Sequence, residues 1–289
     1  MNKKRTKVEP RGWEKIAQAW QKMTSPARPS LGDVQIYGKF IQQIIKSNRH
    51  YRVLVLGSTP ELRSLVLRLG LLKKIDLYLL DLNSTMIYAM SAFLEIDKAK
   101  ERQIIGDWLN TPFKDQYFDI VLGDEILINV AEKDRDRLLQ QIYRILKFDG
   151  AFITRASHVN PRARKFTVAK SINKYSKLYL QHKLTLNQVL NYLFEEVFEL
   201  SYFRNGQKFL CMDVLLKDLR HQAKSYNAVK AMIARLFIKE YRALLHQHWS
   251  WESYGQQIKR FRKYFKIKKI ETAKDYLYAY VLPIYFLKK

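Results

Sequence analysis

The sequence predicts a Rossmann-like, doubly wound α/β domain, and two observations support that prediction. First, short apolar runs alternate with amphipathic segments of helical period between residues 51 and 155. Strands that are apolar throughout and separated by helices are typical of a parallel sheet covered on both faces. The apolar runs are YRVLVLG, KIDLYLLD, RQIIG, YFDIVLGD and GAFITRAS.

The second observation is a return to strand composition at the end of the chain. Residues 158–264 have helical periodicity and no convincing strand, with Thr185 as a candidate N-cap, whereas residues 265–289 are rich in tyrosine, valine and isoleucine. We expect a core at 50–157, a helical cap at 158–264 inserted between strands 5 and 6, and closing strands at 265–289. Residues 1–49 are expected to form a helical lid segment.

Composition limits the classes of function. The chain has 289 residues, of which 47% are hydrophobic, and a formal net charge of +25. Residues 151–289 hold 27 lysines and arginines against 9 acidic residues, so the positive charge is concentrated in the second half. Charge of this sign attracts nucleic acid, anionic membranes or acidic ligands.

Cysteine and histidine content makes disulfide and metal chemistry unexpected. Cys211 is the only cysteine, which excludes an internal disulfide and a thiolate zinc cluster and fits a reducing cytoplasm. His246 and His248 are interpreted as a polar helix end rather than as metal ligands. No segment approaches the roughly 18 apolar residues of a membrane-spanning helix. We therefore expect a soluble, cytoplasmic protein without a metal.

The turn after the first strand, GSTPE, is expected to contact a ligand, because open parallel sheets bind ligands beyond the carboxyl ends of their strands. Gly57 permits a tight turn, and Ser58 or Thr59 can cap the next helix. Pro60 suits the first helical position but removes an amide donor, and Glu61 would repel phosphate. S-adenosylmethionine, with an adenosine and a cationic tail, suits this turn better than a dinucleotide does.

Asp81 ends the second predicted strand, about twenty residues beyond the glycine turn. An acidic side chain at this place can accept hydrogen bonds from both hydroxyls of a ribose. The alternative is a solvated carboxylate that caps the helix starting near Ser84.

These segments resemble, in order, the motifs of class I S-adenosylmethionine-dependent methyltransferases. The resemblance covers residues 50–157, and the closing strand resembles that family's antiparallel last strand. Its motifs are GSTPEL, LLDLN, GDWLNTPF, FDIVLGDEILINV and LLQQIYRILKFDGAFITRAS. The segments RGWEKIAQAW and ARPSLGDVQIYGKF and the helical block are similar to a bacterial branch of the family. The sequence departs from the usual GxGxG pattern by having one glycine in the turn.

The resemblance implies a seven-stranded class I methyltransferase sheet and a set of cofactor contacts. Gly57 and Ser58 would line the methionine moiety, Asp81 would hold the ribose, and Asp107 with Trp108 would border the adenine. The implied cofactor-binding residues are Gly57, Ser58, Thr59, Asp81, Leu82, Asp107, Trp108 and Asp124.

Asp124, which follows the fourth strand, is the candidate catalytic residue, because it should face the transferred methyl and could orient or deprotonate an acceptor. Two alternatives stay open. Trp108 could be a core aromatic, and Asp124 or Glu125 could only cap the next helix.

The leading hypothesis is methyl transfer to a small molecule under the helical cap. One alternative is an RNA or DNA methyltransferase that uses the basic half, where RARK at 162–165 and KRFRKYFKIKK at 259–269 occur. Another is a binding module that takes the cofactor and never converts it.

Substrate identity is expected to depend on the lid segment and the helical block. Arginine matches a carboxylate with its planar fork, so Arg28 favours an anionic acceptor, unless it pairs with Asp33 or another acid. The candidate acceptor residues are Trp20, Arg28, Tyr37, Tyr202 and Arg204.

Overall fold

The structure is a computed structural model, and the strands and helices given below belong to the part of the chain that it describes. The described residues are 20, 23–46, 49–94, 96, 101–160, 167–200, 209–244 and 248–289. The strands are β1 (Tyr51–Leu56), β2 (Ile75–Asp81), β3 (Glu101–Ile105), β4 (Phe118–Asp124), β5 (Leu146–Arg155), β6 (Phe209–Cys211), β7 (His248–Ser250), β8 (Lys266–Glu271) and β9 (Ile284–Lys288).

Seven of these strands form one mixed sheet in the order β3-β2-β1-β4-β5-β9-β8. Strands β1 to β5 pair in parallel, and β9 pairs antiparallel with both β5 and β8. The strand order reverses between β1 and β4, as in doubly wound sheets. The predicted α/β class and the antiparallel last strand are confirmed.

Helices cover both faces of the sheet. The helices are α1 (Leu31–Gln42), α2 (Pro60–Leu72), α3 (Ser84–Ser91), α4 (Arg135–Ile145), α5 (Val168–Leu180), α6 (Leu186–Leu200), α7 (Met212–Gln222), α8 (Ala228–Glu240) and α9 (Tyr254–Tyr264). Val53 and Val55 pack with residues of α1 and α2, whereas Leu54 and Leu56 pack in the same apolar layer as α4 and α9. Successive residues of a strand point to opposite faces, which is why β1 is apolar at every position.

The helices α5 to α8 pack on one another and have their own apolar core, which includes Tyr175, Leu193, Leu216 and Phe237. Trp20 and residues of α3 share this core, so the helical block lies against the sheet domain at that point. Neither strand in the block joins the main sheet, because β6 pairs only with β7.

Two details of the block differ from the sequence prediction. Strands β6 and β7 lie within 158–264, where no strand was expected, because three residues are too few to show a period. Helix α9 packs in the layer of α4, with Phe261 in the core of the sheet domain, so it does not belong with α5 to α8. No described helix is long and apolar enough to cross a membrane.

Candidate functional site

A cavity of about 490 Å³ lies at the carboxyl edge of the sheet, beside the point where the strand order reverses. Residues after β1, β2, β3 and β4 line it, and Trp20 and Ala27 border it from the N-terminal side. Of the predicted cofactor residues, all eight line this cavity: Gly57, Ser58, Thr59, Asp81, Leu82, Asp107, Trp108 and Asp124.

The glycine turn brings the backbone close to the cavity. Gly57 has a φ of +86°, and a Cβ there would lie 3.3 Å from Cζ2 of Trp108. Any larger residue would therefore be strained and would fill space beside the tryptophan ring. Pro60 starts α2 as expected, but Thr59 at the N-cap position makes no side-chain cap, and the Ser58 hydroxyl donates to Asp81 instead.

Asp81 is oriented by two donors. Its Oδ2 accepts from the Ser58 hydroxyl at 2.6 Å, and its Oδ1 accepts from the backbone amide of Asn83 at 3.0 Å. Burial raises the pKa of Asp81, against the lowering effect of these hydrogen bonds. The alternative role as a helix cap belongs to Asn83, whose Oδ1 accepts from the amide of Met86.

Asn83 also supplies a polar group that the sequence analysis did not select. It lines the cavity, and its Nδ2 is buried without a hydrogen-bond partner. An unpaired buried donor costs free energy, so a ligand acceptor at this place would stabilise it. The sequence signal that could have indicated Asn83 is its position two residues after Asp81, the aspartate that ends the second strand.

The aromatic wall of the cavity is fixed by hydrogen bonds. Trp108 Nε1 donates to the carbonyl of Leu80 at 2.9 Å, which holds the indole across the end of β2. Asp107 is exposed, and one of its oxygens accepts from the amide of Leu109 at 2.8 Å. The other oxygen of Asp107 can accept from a ligand amine.

The wall as a whole is acidic. Asp81, Asp107, Asp124 and Glu125 line it, and no lysine or arginine is among the described residues that do so. Such a wall disfavours phosphate and suits a ligand with a sulfonium and an α-amine. The donor set therefore fits S-adenosylmethionine, with Asp81 for the ribose hydroxyls and Trp108 for the adenine ring.

Asp124 is held by a buried arginine rather than serving as a helix cap. Arg155, at the end of β5, donates to both Asp124 oxygens at 2.7 and 3.1 Å, and also to Asp33 at 3.0 Å and to the carbonyl of Pro26 at 3.0 Å. Burial raises the pKa of Asp124 to about 6, although the guanidinium opposes the rise.

Glu125, next to it, was considered only as a possible cap. Its Oε1 accepts from the backbone amide of Ser157 at 2.7 Å, and its Oε2 accepts from the Ser157 hydroxyl. Burial, with the charge of Asp124, raises the pKa of Glu125 to about 7. Arg155 ends β5 and Ser157 lies two residues beyond it, so their pairing with Asp124 and Glu125 at the end of β4 requires β4 and β5 to be neighbours in the sheet.

Two side chains of the N-terminal segment bind Glu61, which lies in the first turn of α2, just after the glycine turn. One Glu61 oxygen accepts from Trp20 Nε1 at 3.3 Å and lies 2.5 Å from Arg28 Nη2. The guanidinium also lies over the Trp20 ring, 5.7 Å from its centre. Arg28 therefore pairs with an acid, as the alternative allowed, but the acid is Glu61 and not Asp33. The charge expected to repel phosphate is thereby offset by Arg28.

The other candidate acceptor residues lie elsewhere. Tyr37 does not line the cavity: it is fully buried, and its hydroxyl donates to the Gly123 carbonyl at 2.7 Å and accepts from the Arg155 amide at 2.6 Å. Arg28 lines a neighbouring cleft of about 820 Å³. Tyr202 and Arg204 lie outside the described residues. Among the residues that the structure describes, no three His, Cys, Asp or Glu side chains group as metal ligands.

Comparison with known families identifies the core. Residues 56–154 match the family model described as "Methyltransferase domain". With the sheet order, this match makes the α/β core a methyltransferase domain with the class I fold, and the acidic cavity fits S-adenosylmethionine as its cofactor. The methyltransferase prediction is confirmed for these residues. No curated protein matches the chain.

Solved structures support the fold. A Rhodobacter sphaeroides protein provisionally assigned to the zinc-dependent alcohol dehydrogenases has a TM-score of 0.57 and 13% identity, over 96% of this chain and 97% of that one. The complex of the Haloferax volcanii Trm112 methyltransferase activator with a provisionally assigned methyltransferase has a TM-score of 0.52 and 13% identity, over 96% of this chain and 93% of that one. The N-methyltransferase NodS of Bradyrhizobium japonicum, in complex with S-adenosylhomocysteine, has a TM-score of 0.50 and 6% identity, over 96% of this chain and 98% of that one. At these identities the likeness extends to the fold alone.

The two raised pKa values predict a pH-dependent preference for the sulfonium. Because Asp124 and Glu125 ionise as the pH rises through about 6 and about 7, negative charge in the cavity increases over this range. S-adenosylmethionine has a positively charged sulfur, whereas the sulfur of S-adenosylhomocysteine is uncharged. We expect the ratio of the affinity for S-adenosylmethionine to the affinity for S-adenosylhomocysteine to rise roughly threefold to tenfold between about pH 5.5 and 8. Calorimetry at several pH values measures the ratio, and Glu125→Gln should flatten it. A ratio independent of pH in the native protein would contradict the assignment.

Proposed function

We propose that the protein transfers the methyl group of S-adenosylmethionine to a small-molecule acceptor bound beside Trp20, between the N-terminal segment and the helical block. The observation that carries the proposal is the position of Trp20. It lines the cofactor cavity and also belongs to the apolar core of α5 to α8. The mouth of the cavity is thus bordered by elements outside the sheet, which is where specificity resides in this fold class.

The charge of the cavity favours a neutral or cationic acceptor over an anionic one. Arg28, on which the anionic expectation depended, is engaged by Glu61. The wall near the end of β4 carries Asp124 and Glu125. A carboxylate acceptor would face these acids in a poorly solvated site, which costs free energy. An amine or a hydroxyl group faces no such penalty.

The residues after β4 suggest a division of roles. The cofactor supplies a methyl group bonded to a positively charged sulfur. Asp124, held through both oxygens by Arg155, is suited to keeping a negative charge in place and poorly suited to taking up a proton. Glu125, with a pKa near neutrality, is the better candidate to receive a proton from an acceptor. Most of the remaining rate enhancement comes from holding the acceptor in line with the bond between the methyl group and the sulfur.

The nucleic-acid alternative has less support. In the segment 259–269, Phe261 and Phe265 are buried in the core of the sheet domain, so they cannot stack on bases. Of the basic residues interleaved with them, Arg262 and Lys263 are exposed as on a solvated helix face, and Arg260 pairs with Glu252 and Asp136. The other basic segment, 162–165, lies outside the described residues.

A turnover assay with grouped acceptors tests the proposal. Formation of S-adenosylhomocysteine is measured with amines, with phenols and alcohols, with carboxylates, and with RNA and DNA. We expect turnover with one of the first two groups and none with carboxylates. Trp20→Ala should lower that turnover roughly tenfold or more while changing the dissociation constant of S-adenosylhomocysteine only a few-fold. Turnover on nucleic acid alone, or tight cofactor binding without any turnover, would overturn the proposal in favour of its alternatives.

A further inference from the structure

The amino-terminal edge of the sheet, opposite the cofactor cavity, carries exposed apolar side chains among lysines. Leu71 and Leu72 at the end of α2 are 59% and 81% exposed, and Phe148 in the irregular first part of β5 is 77% exposed. Leucine and phenylalanine exposed to this extent leave apolar area in contact with water. We call the whole face the amino-edge surface. Its members are Arg49, Leu71, Leu72, Lys73, Lys74, Lys147, Phe148, Lys266, Lys268, Lys288 and Lys289.

The strand register places these residues on one edge. Tyr51 pairs with Ile75 at the start of β1 and β2, and Lys266, which begins β8, pairs with Lys288 near the end of antiparallel β9. At neighbouring strand spacings of about 4.8 Å, the distance from β2 to β8 is roughly 25 Å. The apolar and basic groups thus share a face of the width of a small domain.

Contacts at the β5–β9 part of this face place two lysines beside Phe148. Lys288 Nζ donates to the carbonyl of Asp149, and Lys289 Nζ donates to the carbonyl of Leu146 at 2.8 Å, so both lysines lie beside the irregular part of β5 that carries Phe148. Lys268 and Arg49 help to lower the pKa of Lys288, after the larger effect of its burial.

Positive charge on the face is only partly neutralised. Arg49 and Lys147 both pair with the single buried carboxylate of Asp119, at 2.9 and 2.7 Å. Asp76 pairs with His50 and with Arg102 at the neighbouring strand. Asp115 pairs with Arg144, and Asp149 is a further acid at this edge. The exposed lysines of β8 have no acid opposite them in the register with β9.

We propose that the amino-edge surface binds an anionic lipid bilayer, with Leu71, Leu72 and Phe148 entering the interface and the lysines meeting lipid head groups. Lysine clusters near a bilayer are attracted by anionic lipids, and stable attachment needs a second, apolar contribution. The same face has both. A phosphate polymer would pair with the lysines but leave the three apolar side chains in water.

The position of the surface has a consequence for the domain. The cofactor cavity opens at the carboxyl edge, at the opposite ends of the same strands. Attachment through the amino-edge surface would leave the cavity facing away from the bilayer, so its ligands would arrive from solution. The inference is independent of which acceptor the enzyme methylates.

Vesicle sedimentation with the full-length protein tests the proposal. Vesicles of equal parts phosphatidylcholine and phosphatidylserine should bind the protein, and pure phosphatidylcholine vesicles should bind it much more weakly. Leu72→Ser with Phe148→Ser should reduce binding roughly tenfold or more, and Lys266→Glu with Lys268→Glu roughly a hundredfold. Added salt should weaken the binding.

Matched variants on the helical block are the controls. Leu180 is 57% exposed at the end of α5, and Lys217 and Lys239 are exposed on α7 and α8. Leu180→Ser, and Lys217→Glu with Lys239→Glu, should leave vesicle binding within a few-fold. Calorimetry with S-adenosylhomocysteine shows that each variant is folded.

Three results would overturn the proposal. One is the absence of binding to the anionic vesicles. Another is equal loss of binding in the control variants, which would assign the effect to net charge. The third is a DNA duplex that binds as tightly as the vesicles, with the Leu72 and Phe148 changes altering neither, which would make the surface a polyanion site.

Discussion

Replacement of Asp81 by alanine is expected to weaken S-adenosylmethionine binding roughly a hundredfold or more. A carboxylate that accepts from two ribose hydroxyls makes two charge-assisted hydrogen bonds, each contributing about 1.5 to 3 kcal/mol. The Ser58 hydroxyl and the Asn83 amide already orient the carboxylate, so little ordering is needed when the ligand arrives. Calorimetry with S-adenosylhomocysteine, which has the same ribose, measures the loss without turnover.

Two variants serve as controls for the Asp81 prediction. Asp107→Ala removes a carboxylate that is exposed and already accepts from the amide of Leu109. We expect the affinity for S-adenosylhomocysteine to fall tenfold or less, because roughly one hydrogen bond to the ligand is lost. Ser58→Ala leaves the Asp81 carboxylate in place with one donor fewer, and its effect should also be smaller than that of Asp81→Ala. If the Asp81, Asp107 and Ser58 variants all had the same affinity for S-adenosylhomocysteine, the ribose would not be held at the end of β2.

The cofactor half of the site could be predicted because its signals are local. Gly57 follows an apolar run, Asp81 ends the next one, and the carboxyl ends of parallel strands meet at one edge. Each inference needs only a strand, a turn and their order. Trp108, which the family resemblance assigned to the border of the adenine, follows β3 at the same edge and lies close to Gly57.

The rest of the site depends on pairs that are far apart in the sequence. Nothing near Glu61 in the sequence indicates that Arg28 will pair with it or that Trp20 will donate a hydrogen bond to it, so its charge was expected to repel phosphate. Tyr37 was expected to contact the acceptor because it lies in the N-terminal segment that was predicted to form the lid. Its partners, the backbone of Gly123 and of Arg155, are defined only when β4 and β5 pair.

Arg155→Met is expected to lower the free energy of unfolding by about 3 to 5 kcal/mol, because it leaves Asp33 and Asp124 buried without their guanidinium. In a chain of this size, that loss corresponds to a fall in melting temperature of roughly 10 °C. Calorimetric or fluorescence-monitored thermal unfolding measures it. Arg102→Met, which removes an arginine with a side chain 62% exposed beside Asp76, should change stability by less than about 1 kcal/mol.

The pH dependence of the Arg155 effect separates lost charge pairing from lost packing. The guanidinium lowers the pKa of Asp124, so in Arg155→Met that pKa should rise above its present value of about 6. A carboxyl whose folded-state pKa is raised favours the folded state below its unfolded pKa and loses that contribution as the pH rises through the folded value. Arg155→Met should therefore be markedly less destabilising at about pH 5 than at pH 8, and adding Asp33→Asn and Asp124→Asn should restore much of the stability at pH 8. A loss of stability that is equal at both pH values and is not restored would mean that Arg155 acts by packing and by its hydrogen bonds to the carbonyls of Pro26 and Arg28, and not by charge pairing.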